Sequence, residues 1–221
     1  ENPGIKSSEL FKEPEKKYTN ETLVGLKKLF DKNSDFATIS EYIDQNIKKS
    51  DKNTADEMIM MYEKYYYAIP VTTDLFINDE ELIDKKFGPL VLEEAKKYNN
   101  DYTELIKNYN AVENLELRDF LKSLYTRNLS LTYGKGYFYF TVNYDKLQTY
   151  SEYLSNDMIS YLKYSDNEIR RPAAANSQII VPINELINRI LIAEDAISKS
   201  KNSELKKEFS KMVIFHFENL I

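Results

Sequence analysis

Leu129-Ser-Leu-Thr-Tyr-Gly-Lys-Gly-Tyr-Phe-Tyr-Phe-Thr-Val-Asn143 is the one stretch of this chain in which apolar residues return at every second position around a glycine-rich centre. Period two marks a β-hairpin, because successive strand side chains point to opposite faces. Pairing Tyr133 with Phe138, Leu131 with Phe140 and Leu129 with Val142 gathers the apolar partners on one face. Ser130, Thr132, Tyr139 and Thr141 then share the other. A slip of one residue mixes the two sets, so the pattern selects this register. It is compatible with a two-residue turn at Lys135-Gly136 or with a four-residue loop from Gly134 to Tyr137. Two strands alone are marginal in water, so the Leu129, Leu131, Phe138, Phe140 and Val142 face must lie against the rest of the chain. Tyr139 then points away from the core, and Tyr137, at the edge of the turn, stays accessible.

Outward from the hairpin the period changes to 3.6. Asn20 caps a helix carrying Leu23, Leu26, Leu29 and Phe30, and Ser34 restarts the signal with Phe36, Ile39, Ile43 and Ile47. Asn53 or Thr54 opens a third helix through Met58, Met61, Tyr62 and Tyr65, which ends before Pro70. Asn78 caps a fourth, with Leu82, Ile83, Phe87, Leu90, Val91 and Ala95 on its apolar side and a break or kink expected at Gly88-Pro89. Further helices are expected over residues 101–109, 111–128, 145–153 and 155–164. Pro182 begins a long one with Leu186 and Ile190, and Asn202 or Ser203 starts the last. The fold class is therefore mainly α: an irregular multi-helix domain with one β-hairpin at about 129–143. Pro3, Gly4, Ser7, Ser8 and Pro14 make residues 1–18 read as a polar tether to a single helical domain over 19–221, the hairpin inserted in it.

Composition narrows the function classes. With 36 acidic and 30 basic residues the net charge is −6, which argues against a nucleic-acid partner. The chain has no Cys and one His, so no disulfide, thiol nucleophile or His-rich metal site is expected, and no cofactor is implied. The 20 Asn and 18 Tyr, with only five Arg among the basic residues, match AT-rich codon usage and point to a low-GC bacterium. No apolar run reaches the ~18 residues that span a bilayer, so membrane association is expected only through a lipid anchor upstream of Glu1.

The motifs thin out on inspection. Asp31, Asn33 and Asp35 occupy the first ligand positions of an EF-hand loop, but Phe36 stands where glycine is required and Tyr42 where a bidentate glutamate belongs. Ser160-x-x-Lys163 and Ser165-Asp166-Asn167 spell two penicillin-recognising elements, yet they are adjacent in the chain and lack the K-T-G strand. His216, between Phe215 and Phe217, has no nucleophile elbow to serve and reads as structural or partly exposed. Two features stand above this background. One is the tyrosine density, with Tyr137 and Tyr139 as candidate contact residues, because tyrosine offers rigid area with a polar tip. The other is Arg170-Arg171 before Pro172, whose planar forks suit a carboxylate or phosphate, with an intramolecular salt bridge as the plainer reading.

Gly136-Tyr-Phe-Tyr-Phe-Thr-Val-Asn-Tyr144, followed by Tyr150-Ser-Glu-Tyr-Leu-Ser-Asn-Asp-Met158, Tyr161-Leu162 and Ala193-Glu194, resembles surface lipoproteins of low-GC Gram-positive bacteria over roughly residues 134–220. The resemblance implies export and a mostly helical fold, and brings no catalytic residues. The expectation is an extracytoplasmic, non-catalytic binding or scaffolding module for an envelope protein or cell-wall polymer. The alternatives are a carbohydrate or cell-wall hydrolase using an Asp/Glu pair and a cytosolic helical adaptor.

Overall fold

The computed structural model describes residues 18–68, 83–175 and 178–218. Of the tether expected over residues 1–18, only Tyr18 falls within them. Its hydroxyl donates to Glu57 Oε1 at 3.1 Å. The Asn78 cap also lies outside the described residues.

The chain runs α1 (Glu21–Asp31), α2 (Phe36–Asn46), α3 (Lys52–Ala68), α4 (Gly88–Ala95), α5 (Tyr102–Lys107) and α6 (Leu115–Thr126), then the strands β1 (Leu129–Gly134) and β2 (Tyr137–Val142). After these come α7 (Tyr144–Leu147), α8 (Asn156–Arg170), a two-residue antiparallel pair β3 (Ala174–Ala175) and β4 (Gln178–Ile179), α9 (Ile183–Lys199) and α10 (Ser203–Glu218). The fold is mainly helical, as the periodicity requires. The small β3–β4 pair carries no alternation long enough to be read in advance.

Capping explains most boundaries. Asn20, Asn114, Asn143, Ser155 and Asn202 each accept a backbone N–H from the first turn of the helix that follows. These contacts satisfy donors the helix itself leaves open. The second helix is capped by Asp35 rather than Ser34, because Asn33 adopts a left-handed φ of 51° and the Ser34 N–H turns back to the Leu29 carbonyl. Asp51 accepts from Asn53 and Thr54, which moves the start of α3 to Lys52. Gly88-Pro89 does not kink a helix interior. A π-helical turn over Ile83–Phe87 gives way there to α4, and Pro89 occupies its first turn, where a missing N–H costs nothing. Asn99, Asn100 and Asn128 also take left-handed φ values. Asparagine tolerates that region, so the Asn-rich composition has structural uses.

The hairpin register is Leu129↔Val142, Leu131↔Phe140, Tyr133↔Phe138 and Gly134↔Tyr137. This is the pairing the alternation demands. Its turn is the two-residue form: Lys135 and Gly136 have φ of 53° and 89°, the double left-handed geometry that matches strand twist. Leu129, Leu131, Phe138 and Val142 are buried and join Phe36, Ile43 and Ile47 of α2 and its following turn, Met58 and Tyr62 of α3, Leu121 of α6 and Leu162 of α8 in one core. The other hairpin face divides along its length. Near the base Ser130 and Thr141 are buried, with Ser130 Oγ 2.9 Å from Thr103 Oγ1 of α5. Near the turn it opens.

Candidate functional site

At that open end Tyr137 is 59% exposed and Tyr139 46%, with Tyr133 on the opposite face at 41%. Tyr139 lies beside Gly134: a Cβ added at the glycine would sit 3.9 Å from the ring edge. The ring thus covers the bare backbone diagonally across the strands, a contact available to long aromatic side chains. Tyr137 stands opposite Gly134 in the register. The base beneath them is held firmly, since the Tyr66 hydroxyl donates to the Phe140 carbonyl at 2.6 Å and Tyr102 meets the Phe138 ring edge-on at 5.4 Å.

The two candidate arginines part company. Arg170 reaches Asp101 at 2.6 Å, Asp145 at 3.0 Å and, through Nε, Asp166 at 2.9 Å, with Glu104 further out at 3.9 Å. Its guanidinium is committed to this chain's own carboxylates, so it does not offer a free fork to an outside acid. The salt-bridge reading is the one that describes it. Arg171 is different: its side chain is 65% exposed and bonds Glu185 through one nitrogen at 3.0 Å. A small cleft of about 130 Å³ lies between Thr132 and Tyr133 of β1 and Asp101, Arg170 and Pro172. The hairpin and the arginine clamp are therefore neighbours, which neither element announces alone.

That clamp is also where carboxylates converge. Burial pushes the Asp166 carboxyl up despite the opposing pull of Arg170. A hydrolytic pair needs open space between its two carboxyl groups. Here the guanidinium fills the centre. A second raised carboxyl, Glu63, is driven up by burial and accepts hydrogen bonds from the Tyr144 and Tyr161 hydroxyls, the latter at 2.6 Å. It is 8% exposed.

His216 is 1% exposed. Its Nε2 lies 2.8 Å from the Tyr164 hydroxyl and 3.4 Å from Glu168 Oε1. Arg189, itself buried, holds the same Glu168 oxygen at 2.7 Å. Burial alone would push the Glu168 carboxyl up; its bonds to His216 and Arg189 prevail and hold it below the usual carboxylate range. The structural reading of His216 thus gains specific partners. With His216 they span three helices, and the only local signal for the group is the tyrosine spacing of α8.

Among the described residues no group of three or more His, Asp or Glu side chains is arranged to hold a metal ion, and no helix is long and apolar enough to cross a membrane. No family model, curated protein or solved structure matches this chain. The functional reading therefore rests on the geometry.

Proposed function

We propose that this protein is a non-catalytic binding module of the cell envelope whose contact surface is the open end of the hairpin. The supporting observation is the pair Tyr137 and Tyr139, exposed together on strands whose lower half is bonded and packed. Tyrosine loses little side-chain entropy on binding, and a pre-ordered backbone lowers the cost of association further. The two rings offer flat apolar faces to a sugar ring or a peptide, and their hydroxyls add donors and acceptors. Arg171 is exposed and holds Glu185 through one nitrogen, which leaves the rest of its guanidinium open to a partner's carboxylate or phosphate. The partner class is an envelope protein or a cell-wall polymer, and the location is extracytoplasmic.

The test is sedimentation of the purified protein with isolated cell walls and with detergent-extracted envelope protein. The variant carrying Tyr137→Ala and Tyr139→Ala should bind one of the two fractions about tenfold more weakly, the worth of one good aromatic anchor. Its circular dichroism and melting should match the parent. Undiminished binding by the folded double variant overturns the reading.

A further inference from the structure

A cleft of about 290 Å³ opens between α8 and α10, lined by Tyr67, Tyr144, Ser165, Ile169, Met212 and His216. That volume sits at the lower end of the ~300–1,000 Å³ usual for small-molecule sites. It shares no residue with the hairpin tip. Two of its lining side chains hold buried polar atoms without a partner: His216 Nδ1 and Ser165 Oγ. His216 is 1% exposed and Ser165 4%. The Ser165 hydroxyl lies beside the Tyr161 phenol without a hydrogen bond of good geometry. Leaving a buried polar group unmade costs about 1–3 kcal/mol, and such groups in native proteins mark a bound water or ligand.

The chemistry of the two atoms limits what satisfies them. His216 Nε2 faces an ionised carboxylate at 3.4 Å, and Arg189 keeps that carboxylate charged. A lone pair pointed there would be repelled, so the ring proton belongs on Nε2, with the Tyr164 hydroxyl 2.8 Å away as its acceptor. Nδ1 is then a bare acceptor, and the ligand must bring a donor. Ser165 both donates and accepts. A hydroxyl meets both requirements because it donates to Nδ1 and bonds Ser165 Oγ in either direction, whereas an ether only accepts and leaves Nδ1 unserved. Ile169, Met212, Phe215 and the Tyr67 and Tyr144 rings give the cleft its apolar lining, with the charged Glu168 and Lys211 also on its wall. We infer that the cleft between α8 and α10 is a binding site for a small hydroxyl-bearing aromatic molecule, its hydroxyl donating to His216 Nδ1 and bonded to Ser165 Oγ.

Phenol is the probe and toluene its shape control. The chain has a single histidine, so ¹⁵N spectra of the imidazole need no assignment. The free protein should show an unprotonated Nδ1 and a protonated Nε2. Phenol should shift the Nδ1 resonance saturably toward its hydrogen-bonded position and leave Nε2 in place, and toluene should not. Ser165→Ala, a small change in a buried helix, should weaken phenol binding by about three- to tenfold, the loss of one hydrogen bond. Three results overturn the inference. One is a proton on Nδ1 in the free protein, and another is no saturable phenol shift up to its solubility. The third is toluene and phenol binding equally to both the parent and the Ser165→Ala protein, which would make the cleft a plain apolar gap.

Discussion

Tyr161 and Tyr139 are the same residue in opposite circumstances. Tyr161 is 3% exposed, donates to Glu63 at 2.6 Å and meets the Phe209 ring edge-on at 5.8 Å. Tyr139 is 46% exposed and rests against the backbone of Gly134. Around Tyr161 the pattern repeats: Tyr62 donates to the Arg127 carbonyl at 2.6 Å, Tyr144 to Glu63 and Tyr150 to Asp44. In that half of the molecule tyrosine is a long-range staple. A ring buries apolar area in the core while its hydroxyl ties down an acceptor distant in the sequence. At the hairpin tip the same side chain has no such acceptor among the described residues. The difference teaches that tyrosine density alone does not mark an interface. What distinguishes the two groups is the bond made by the hydroxyl.

The comparison breaks most visibly at its buried end. Tyr62 is fully buried, and its hydroxyl also lies 3.2 Å from the Asn128 carbonyl. Tyr62→Ala is expected to cost about 3–5 kcal/mol in urea unfolding through the cavity it leaves. Tyr62→Phe should cost only about 1–2 kcal/mol, because the packing remains and only the hydroxyl's bonds are lost. If the two variants lose the same amount, the hydroxyl rather than the ring is the staple.

Glu63 sharpens the comparison through pH. Burial raises its folded pKa, and the two tyrosine hydroxyls only partly offset this. The folded protein therefore holds the proton more tightly than the unfolded chain does. The corresponding stability is fully present below the ordinary glutamate range and is lost as pH rises through the raised value. Glu63→Gln removes that decline. Relative to the parent, the variant should gain stability between acidic and neutral pH. A parent-to-variant difference that does not move with pH would show that the carboxylate sits charged and fully compensated among its tyrosines.

How far the sequence discloses all this depends on distance along the chain. The hairpin register is legible because alternation and a Lys-Gly turn are local, and each wrong register exposes several apolar residues at once. Most helix starts are legible to within a residue or two, since Asp, Asn and Ser are interchangeable as caps; Ser34 loses to Asp35 only because Asn33 reverses the chain, and the helix expected from residue 111 begins at Leu115, behind the Asn114 cap. The sequence-read end of α8 at Tyr164 falls short. Asp166-Asn167 resembles a loop, but Asp166 and Arg170 pair across one turn at 2.9 Å and carry the helix on to Arg170, close to Pro172. The Arg170 clamp and the His216 cluster are not legible. Their partners lie 69 residues away at Asp101 and 52 away at Tyr164, and no local pattern records such a meeting. The covered base of the outer hairpin face was hidden for the same reason, because Thr103 reaches it from α5.

The exposed end of the comparison carries the smallest expected effect on stability. Tyr139 is 46% exposed, and the edge of its ring lies over Gly134. Truncation leaves no cavity, since no core side chain closes over it, and strands no buried acceptor. Tyr139→Ala should therefore cost under about 1 kcal/mol, within the range of surface substitutions. What remains is a modest loss of β propensity and of cross-strand cover over a glycine, each worth a few tenths to about 1 kcal/mol. Tyr139→Thr restores a β-branched residue without a ring. It should recover most of that stability while binding to the envelope fraction stays as weak as with alanine. This separation is the informative part, because a staple loses stability and function together and a platform loses only function. A loss of several kcal/mol for Tyr139→Ala, or wild-type binding by Tyr139→Thr, would place Tyr139 with Tyr161 among the staples and remove the hairpin tip as the contact surface.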